Sequence, residues 1–162
     1  MTLWLRFEQE NRTRFGTLED VRICVHEGDM FGGSTPTGDT VDVSSVRLLT
    51  PTEPSKMICL WNNFHELAAK LGTPVPASPL YFLKASSSFL GHGGIIRRPS
   101  SYRGKIVYEG ELGIVIGSRC THVLETDALD CIFGYTCVND VTAVEIINED
   151  PSLCAVDPCK EL

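Results

Sequence analysis

The chain has 162 residues, 43% of them hydrophobic and 22% charged, which is enough apolar content for a packed core and excludes a disordered chain. With 14 basic against 21 acidic residues its formal net charge is −7, which argues against a nucleic-acid-binding surface; the tightest basic pair is Arg97-Arg98. The opening "MTLWLRFEQENRTRFG" breaks its apolar character with charges at once, and no apolar run approaches the length of a membrane helix, so the expectation is a soluble cytoplasmic protein without membrane partners.

In chain order, residues 1 to about 53 read as a small β domain. Its strands are "WLRFEQ", "TRFGTLE", "VRICVHEGDMF" and "TVDVSSVRLL", with turns at "EGD" and "FGGSTPTGDT". A Thr/Pro/Ser linker, "TPTEPS", leads to "KMICLW", a predicted buried strand. "NNFHELAAKLG" follows as a short helix ending at Gly72. "TPVPASP" is a rigid extended segment and "LYFLK" another strand. Beyond the glycine-rich "LGHGG", whose His92 has no assigned role, "YEGELGIVIG" reads as a buried strand. A helix around "TDALDCIF", with Thr126 or Asp127 near its N-cap, and a strand "GYTCVND" complete the pattern. The predicted class is α+β, mainly β, with few helices and no internal repeat.

The seven cysteines, Cys24, Cys59, Cys120, Cys131, Cys137, Cys154 and Cys159, form an odd set without CxxC spacing, so reduced thiols are expected and a zinc site is disfavoured. Several, such as Cys59 and Cys137, sit in apolar strand-like runs where cysteine behaves as a small hydrophobe. The chemistry lies instead in "YEGELGIVIG". Glu109 and Glu111 are two apart and face the same side of a strand. Two carboxylates crowded there repel and lose hydration, a cost of several kcal/mol for each buried charge unless a positive charge stands between them. A divalent cation meets that need, and oxygen ligands favour Mg2+, Mn2+ or Ca2+ over zinc. Asp140, at the end of the apolar "CVNDVTA", is the best third ligand. The alternative is a solvated strand edge with two ordinary glutamates.

The order "PSKMICLWNNFHELAAKLGTPVPASPLYFLKASSSF", "YEGELGIVIG", "DALDCIFGYTCVNDVTA", from Ser55 to about Ser152, resembles the fumarylacetoacetate hydrolase family. Its particular likeness is to the N-terminal part of the 2-hydroxyhepta-2,4-diene-1,7-dioate isomerase and 2-keto-4-pentenoate hydratase-like members. The resemblance implies a mixed β-sandwich roll over residues 54–152, incomplete here, behind the small β domain of residues 1–53. It implies enzymes that cleave, hydrate, decarboxylate or isomerise 2-oxo and 1,3-dioxo acids in the catabolism of aromatic or dicarboxylic acids, often as homodimers. The implied cofactor is Mg2+ or Mn2+ on Glu109, Glu111 and Asp140, acting as a Lewis acid on a small 2-oxo acid substrate. Lys84, in "YFLK", matches a family lysine near the site, suited to a substrate carboxylate or enolate; its bland alternative is a strand-end surface lysine.

The chain departs from the family in two places. Hydrolytic members carry Asn-Tyr-x-x-His followed by Glu as a water-activating dyad on a short helix. Aligning Asn63-Phe64 to that Asn-Tyr puts Leu67 and Lys70 where His and Glu belong, so neither can act as the base. His65 lies two residues early, about 200° round a helix, and reads as an exposed helix histidine. The second departure is the tail, residues 153–162, "LCAVDPCKEL". With one choice of synonymous codons, a one-base shift turns it into Phe-Ala-Gln-Trp-Thr-Arg-Ala-Lys-Ser, like the family's continuation. The expectation is a frameshifted, truncated copy, and a catalytically inactive fragment is the alternative to an enzyme.

Overall fold

The computed structural model describes residues 1–149; the tail set apart above lies outside the described residues. The elements are β1 (Leu3–Gln9), β2 (Arg12–Glu19), β3 (Arg22–Asp29), β4 (Gly33–Asp42), β5 (Arg47–Leu48), β6 (Met57–Trp61), α1 (His65–Leu71), β7 (Leu80–Lys84), β8 (Ile106–Ile116), β9 (Ile132–Ala143) and α2 (Val144–Glu149). Short 3-10 turns cover Val43–Ser45, Ser86–Ser88 and Glu125–Cys131. The chain is mainly β, as the sequence predicts. Two compact units divide it: Met1–Glu53, Leu90–Ile95 and Gly110–Asn139 form the first. Pro54–Phe89, Ile96–Glu109 and, of the described residues, 140–149 form the second.

The first unit holds a five-stranded antiparallel sheet in the order β4-β3-β2-β1-β5. The period of two is visible in its core. Phe7, Ile23 and Val25 are fully buried, packed by Leu5, Leu18, Val41, Val43, Val46 and Leu48. The opposite face carries Trp4, with ring centroids 4.9 Å from His26 and 6.2 Å from Phe15. Gln9 pairs with Arg12, which leaves Glu10 and Asn11 as a two-residue turn with φ of 51° and 61°. Left-handed geometry at both positions gives the twist that a tight hairpin needs. Gly16 is required by packing: a Cβ there would stand 2.2 Å from the Cys24 carbonyl oxygen. Arg6 anchors the following segment, donating to Thr52 O at 3.0 Å and to Glu53 Oε2 at 2.8 Å.

Several local expectations give way. Of "FGGSTPTGDT" only Phe31 and Gly32 lie in a turn, since residues 33–42 form β4. Pro36 is tolerated because β4 is an edge strand that needs no amide on its outer side; it stands opposite His26, and the register shifts between Cys24 and His26. Asp42 then ends the strand by capping the Val43–Ser45 turn, accepting from the Ser44 amide at 2.8 Å and hydroxyl at 2.6 Å. Those bonds hold its carboxyl below the usual range. So "TVDVSSVRLL" is not one strand but the end of β4, a 3-10 turn and β5.

In the second unit β6 and β7 pair antiparallel, Cys59 opposite Phe82. β6 is not a buried strand: Ile58, Leu60 and Trp61 are all exposed. Helix α1 ends as expected at Gly72, whose φ of 66° lets its amide reach Ala69 O at 3.3 Å while Thr73 N–H reaches Ala68 O at 3.0 Å. That pair of bonds satisfies two of the last carbonyls. The helix predicted around "TDALDCIF" is a 3-10 turn beginning at Glu125, with Leu124 and not Thr126 or Asp127 at its N-cap. The two polar side chains bond to each other instead, at 2.9 Å. No helix among the described residues is long and apolar enough to cross a membrane.

A candidate carboxylate site on β8 and β9

β8 and β9 pair with each other. Gly117 N–H bonds Cys131 O at 2.9 Å, and Val144 N–H bonds Lys105 O at 3.2 Å, so the strands run antiparallel. β8 is half-buried on one face only. Glu109, Glu111, Gly113 and Val115 lie on that face, whereas Tyr108, Leu112, Ile114 and Ile116 are exposed on the other. The expectation of a buried strand is therefore corrected, but the shared face of the two glutamates is observed.

Within the second unit, Asp140 and Thr142 are two apart on β9 and buried at 4% and 3% exposure. Lys84, the last residue of β7, places Nζ 2.7 Å from Asp140 Oδ1, and the side chains of this pair are only 8% and 2% exposed. The bland reading of Lys84 as a surface lysine is thereby excluded. Its ammonium also lies 5.7 Å from the Phe82 ring centroid, a distance at which the ring face attracts a cation. Thr142 Oγ1 donates to Glu109 Oε1 at 3.2 Å. Thr142 was not among the residues that the sequence singled out, although its period-2 spacing from Asp140 was the available signal.

A second set of bonds fixes this end of the strand pair. Glu145 accepts from the Lys105 amide at 2.7 Å and from the Tyr102 hydroxyl, while Arg98 Nη1 donates to Gly104 O at 2.6 Å. The Tyr102 bond is the main cause that holds the Glu145 carboxyl below its ordinary range. Desolvation, and then that same partner, raise the Tyr102 phenol.

The donor chemistry suits a hard divalent cation: three carboxylates, no thiolate and no imidazole. Among the described residues, no group of three His, Cys, Asp or Glu side chains is close enough to form a finished cage. The positive charge seen at Asp140 is that of Lys84. On α1, His65, Leu67 and Lys70 are all exposed.

Comparison with known proteins gives two family matches. Residues 3–51 match the family described as Rv2993c-like, N-terminal, and residues 56–161 match Fumarylacetoacetate (FAA) hydrolase C-terminal, running into the tail that the sequence reading sets apart. An uncharacterised protein of Archaeoglobus fulgidus is 42% identical over 113 residues, covering 70% of this chain and 45% of its own length. The oxaloacetate tautomerase YisK of Bacillus subtilis is 38% identical over 140 residues, covering 76% of this chain and 46% of its own. A crystal structure of 2-hydroxyhepta-2,4-diene-1,7-dioate isomerase from Mycobacterium marinum is similar at 30% identity and a TM-score of 0.80, covering 93% of this chain and 58% of that one. The chain spans about half the length of the curated relatives it matches. With its main match extending over most of the sequence, the chain belongs to the fumarylacetoacetate hydrolase family.

Proposed function

We infer that this chain carries the metal- and substrate-binding half of an enzyme that isomerises small 2-oxo acids between enol and keto forms. The observation that carries this reading is the buried Lys84–Asp140 pair in the same unit as Glu109. Similar proteins named as an oxaloacetate tautomerase and a 2-hydroxyhepta-2,4-diene-1,7-dioate isomerase support it. Glu109, Glu111 and Asp140 would hold Mg2+ or Mn2+. When bound, the cation supplies a Lewis acid that draws electron density from a coordinated oxygen.

The chain's own residues do the rest. Asp140 holds the Lys84 ammonium in place, so a substrate carboxylate or enolate meets a positive charge that need not be ordered first. Thr142 fixes one oxygen of Glu109 and thus the rotamer of a ligand. Leu67 and Lys70 provide no His-Glu dyad to activate water, which favours proton transfer over C–C hydrolysis. The Lys84 ammonium on the Asp140 carboxylate, where a bound cation would otherwise stand, favours a second reading, an inactive remnant.

Calorimetric titration of the purified chain with Mg2+ and Mn2+ separates the readings. Binding that a Glu109→Ala, Glu111→Ala double variant abolishes, followed by metal-dependent loss of the enol absorbance of oxaloacetate, is expected for an isomerase. Binding without turnover, or no binding, would support the remnant.

A further inference from the structure

The paired glutamates of β8 leave an ambiguity that burial alone does not resolve. Glu109 and Glu111 lie on one face, so a slide of β8 by two residues keeps both carboxylates turned the same way and brings Glu111 to the place of Glu109. The connection from β8 to β9, residues 117–131, is too long for a turn type to set the pairing. The open end of the strand pair carries a fixed reference point. Lys105 stands just before β8 and Val144 stands where β9 gives way to α2, and the Val144 N–H donates to Lys105 O at 3.2 Å. In a regular antiparallel ladder the Lys105 amide would return to the Val144 carbonyl. It donates instead to Glu145 Oε2 at 2.7 Å, so a side chain supplies the rung that the departing backbone withholds.

Tyr102 ties that rung down. Its hydroxyl donates to the Glu145 carboxylate, accepts from the Glu145 amide at 3.3 Å and stands 2.9 Å from Lys105 O. The Tyr102 amide donates to Pro99 O at 3.1 Å, and the Arg98 guanidinium lies 6.0 Å from the ring centroid while donating to Gly104 O at 2.6 Å. Gly104 lets these groups meet, because a Cβ there would stand 2.5 Å from both the Tyr102 hydroxyl and Glu145 Oε2. All of them belong to the second unit, as do Lys84, Glu109, Asp140 and Thr142. Counted along the strands from Lys105 and Val144, Glu109 comes opposite Asp140 with Thr142 on its diagonal. The 3.2 Å bond from Thr142 Oγ1 to Glu109 Oε1 agrees with that count.

We propose that Tyr102 and Glu145 are positioning residues that lock the register of β8 on β9, and so select Glu109, not Glu111, as the carboxylate beside Asp140 and Thr142. The lock depends on where an acceptor oxygen stands and not on its charge. A glutamine at position 145 keeps an oxygen for the Lys105 amide and the Tyr102 hydroxyl, whereas an alanine keeps none. The consequence for a divalent cation rests on the functional reading given above: groups that orient a metal ligand are worth about 10–100-fold in affinity.

The test compares Tyr102→Phe, Glu145→Ala and Glu145→Gln in the whole chain, with Val25→Ala, in the buried core of the first unit, as a control for lost stability. In the metal-free proteins, cross-strand NOEs between β8 and β9 read the register. The parent, Glu145→Gln and Val25→Ala should show Glu109 opposite Asp140. Tyr102→Phe and Glu145→Ala should lose those NOEs, or show beside them a second set from the slid register. Titration with Mn2+, followed by the EPR signal of the free ion, should show binding weakened about 10-fold or more in Tyr102→Phe and Glu145→Ala, and by less than about 3-fold in the other two variants. Unchanged NOEs in Tyr102→Phe and Glu145→Ala would overturn the lock, as would a Glu145→Gln protein that behaves like Glu145→Ala. Altered NOEs in a series whose parent binds no Mn2+ would uphold the lock and overturn the metal reading. Altered NOEs with unchanged Mn2+ affinity would uphold the lock and overturn its consequence for the cation.

Discussion

Replacing Lys84 by methionine is a direct test of what the buried pair contributes. At 2.7 Å, two unit charges in an effective dielectric of about 20 attract by roughly 6 kcal/mol, most of which is offset by the desolvation of both ions. Methionine keeps the apolar stem of Lys84 but leaves the Asp140 carboxylate, 2% exposed, without its counter-charge. Breaking such a pair costs about 3–5 kcal/mol. For a chain of this size, that corresponds to a fall of roughly 6–20 °C in thermal midpoint. The double variant Lys84→Met, Asp140→Leu removes both charges, so its stability should lie within about 1–2 kcal/mol of the parent, or above it. Urea denaturation of the parent, both single variants and the double variant closes the cycle. A Lys84→Met loss below about 1 kcal/mol, or a double variant as unstable as the worse single variant, would refute the reasoning: the pair would be solvated and Lys84 not preorganised.

Three further outcomes are expected. Phe7→Ala, at a fully buried position in the N-terminal core, should cost about 3–5 kcal/mol in chemical denaturation. Gly16→Ala should cost at least about 1–3 kcal/mol by overpacking, because its Cβ would meet a backbone carbonyl that no rotamer change can move; a neutral result would show that β2 and β3 shift freely there. The third concerns pH. Glu145 is held below its ordinary range chiefly by Tyr102, so its stabilisation is complete above the ordinary glutamate range and is lost as pH falls through the lowered folded value. Tyr102→Phe should flatten the acid limb of the thermal midpoint against pH and leave its neutral plateau dependent only on the lost bond.

The glutamates of β8 were legible because a period of two depends only on the strand, and β8 is a strand whatever packs against it. The partners of those residues were not legible. Lys84 and Asp140 are 56 positions apart, and only the folded chain shows an ammonium on that carboxylate. The edge strand β4 was hidden for a related reason: glycine, proline and threonine signal turns locally, and it is pairing with β3 that overrides them. The buried character assigned to β6 and β8 reflects composition alone. An apolar run is the same string whether or not another layer covers it.

The order β4-β3-β2-β1 has a kinetic consequence. Each strand pairs with its neighbour in sequence, so the first forty residues assemble by successive short closures, beginning at the two-residue Glu10-Asn11 turn. Contacts of such low sequence separation form fast, on the order of microseconds for a hairpin. During synthesis, at about 5–20 residues per second, this meander can pair seconds before β9 has left the ribosome. The slow event is then the long-range one, the arrival of Asp140 beside Lys84.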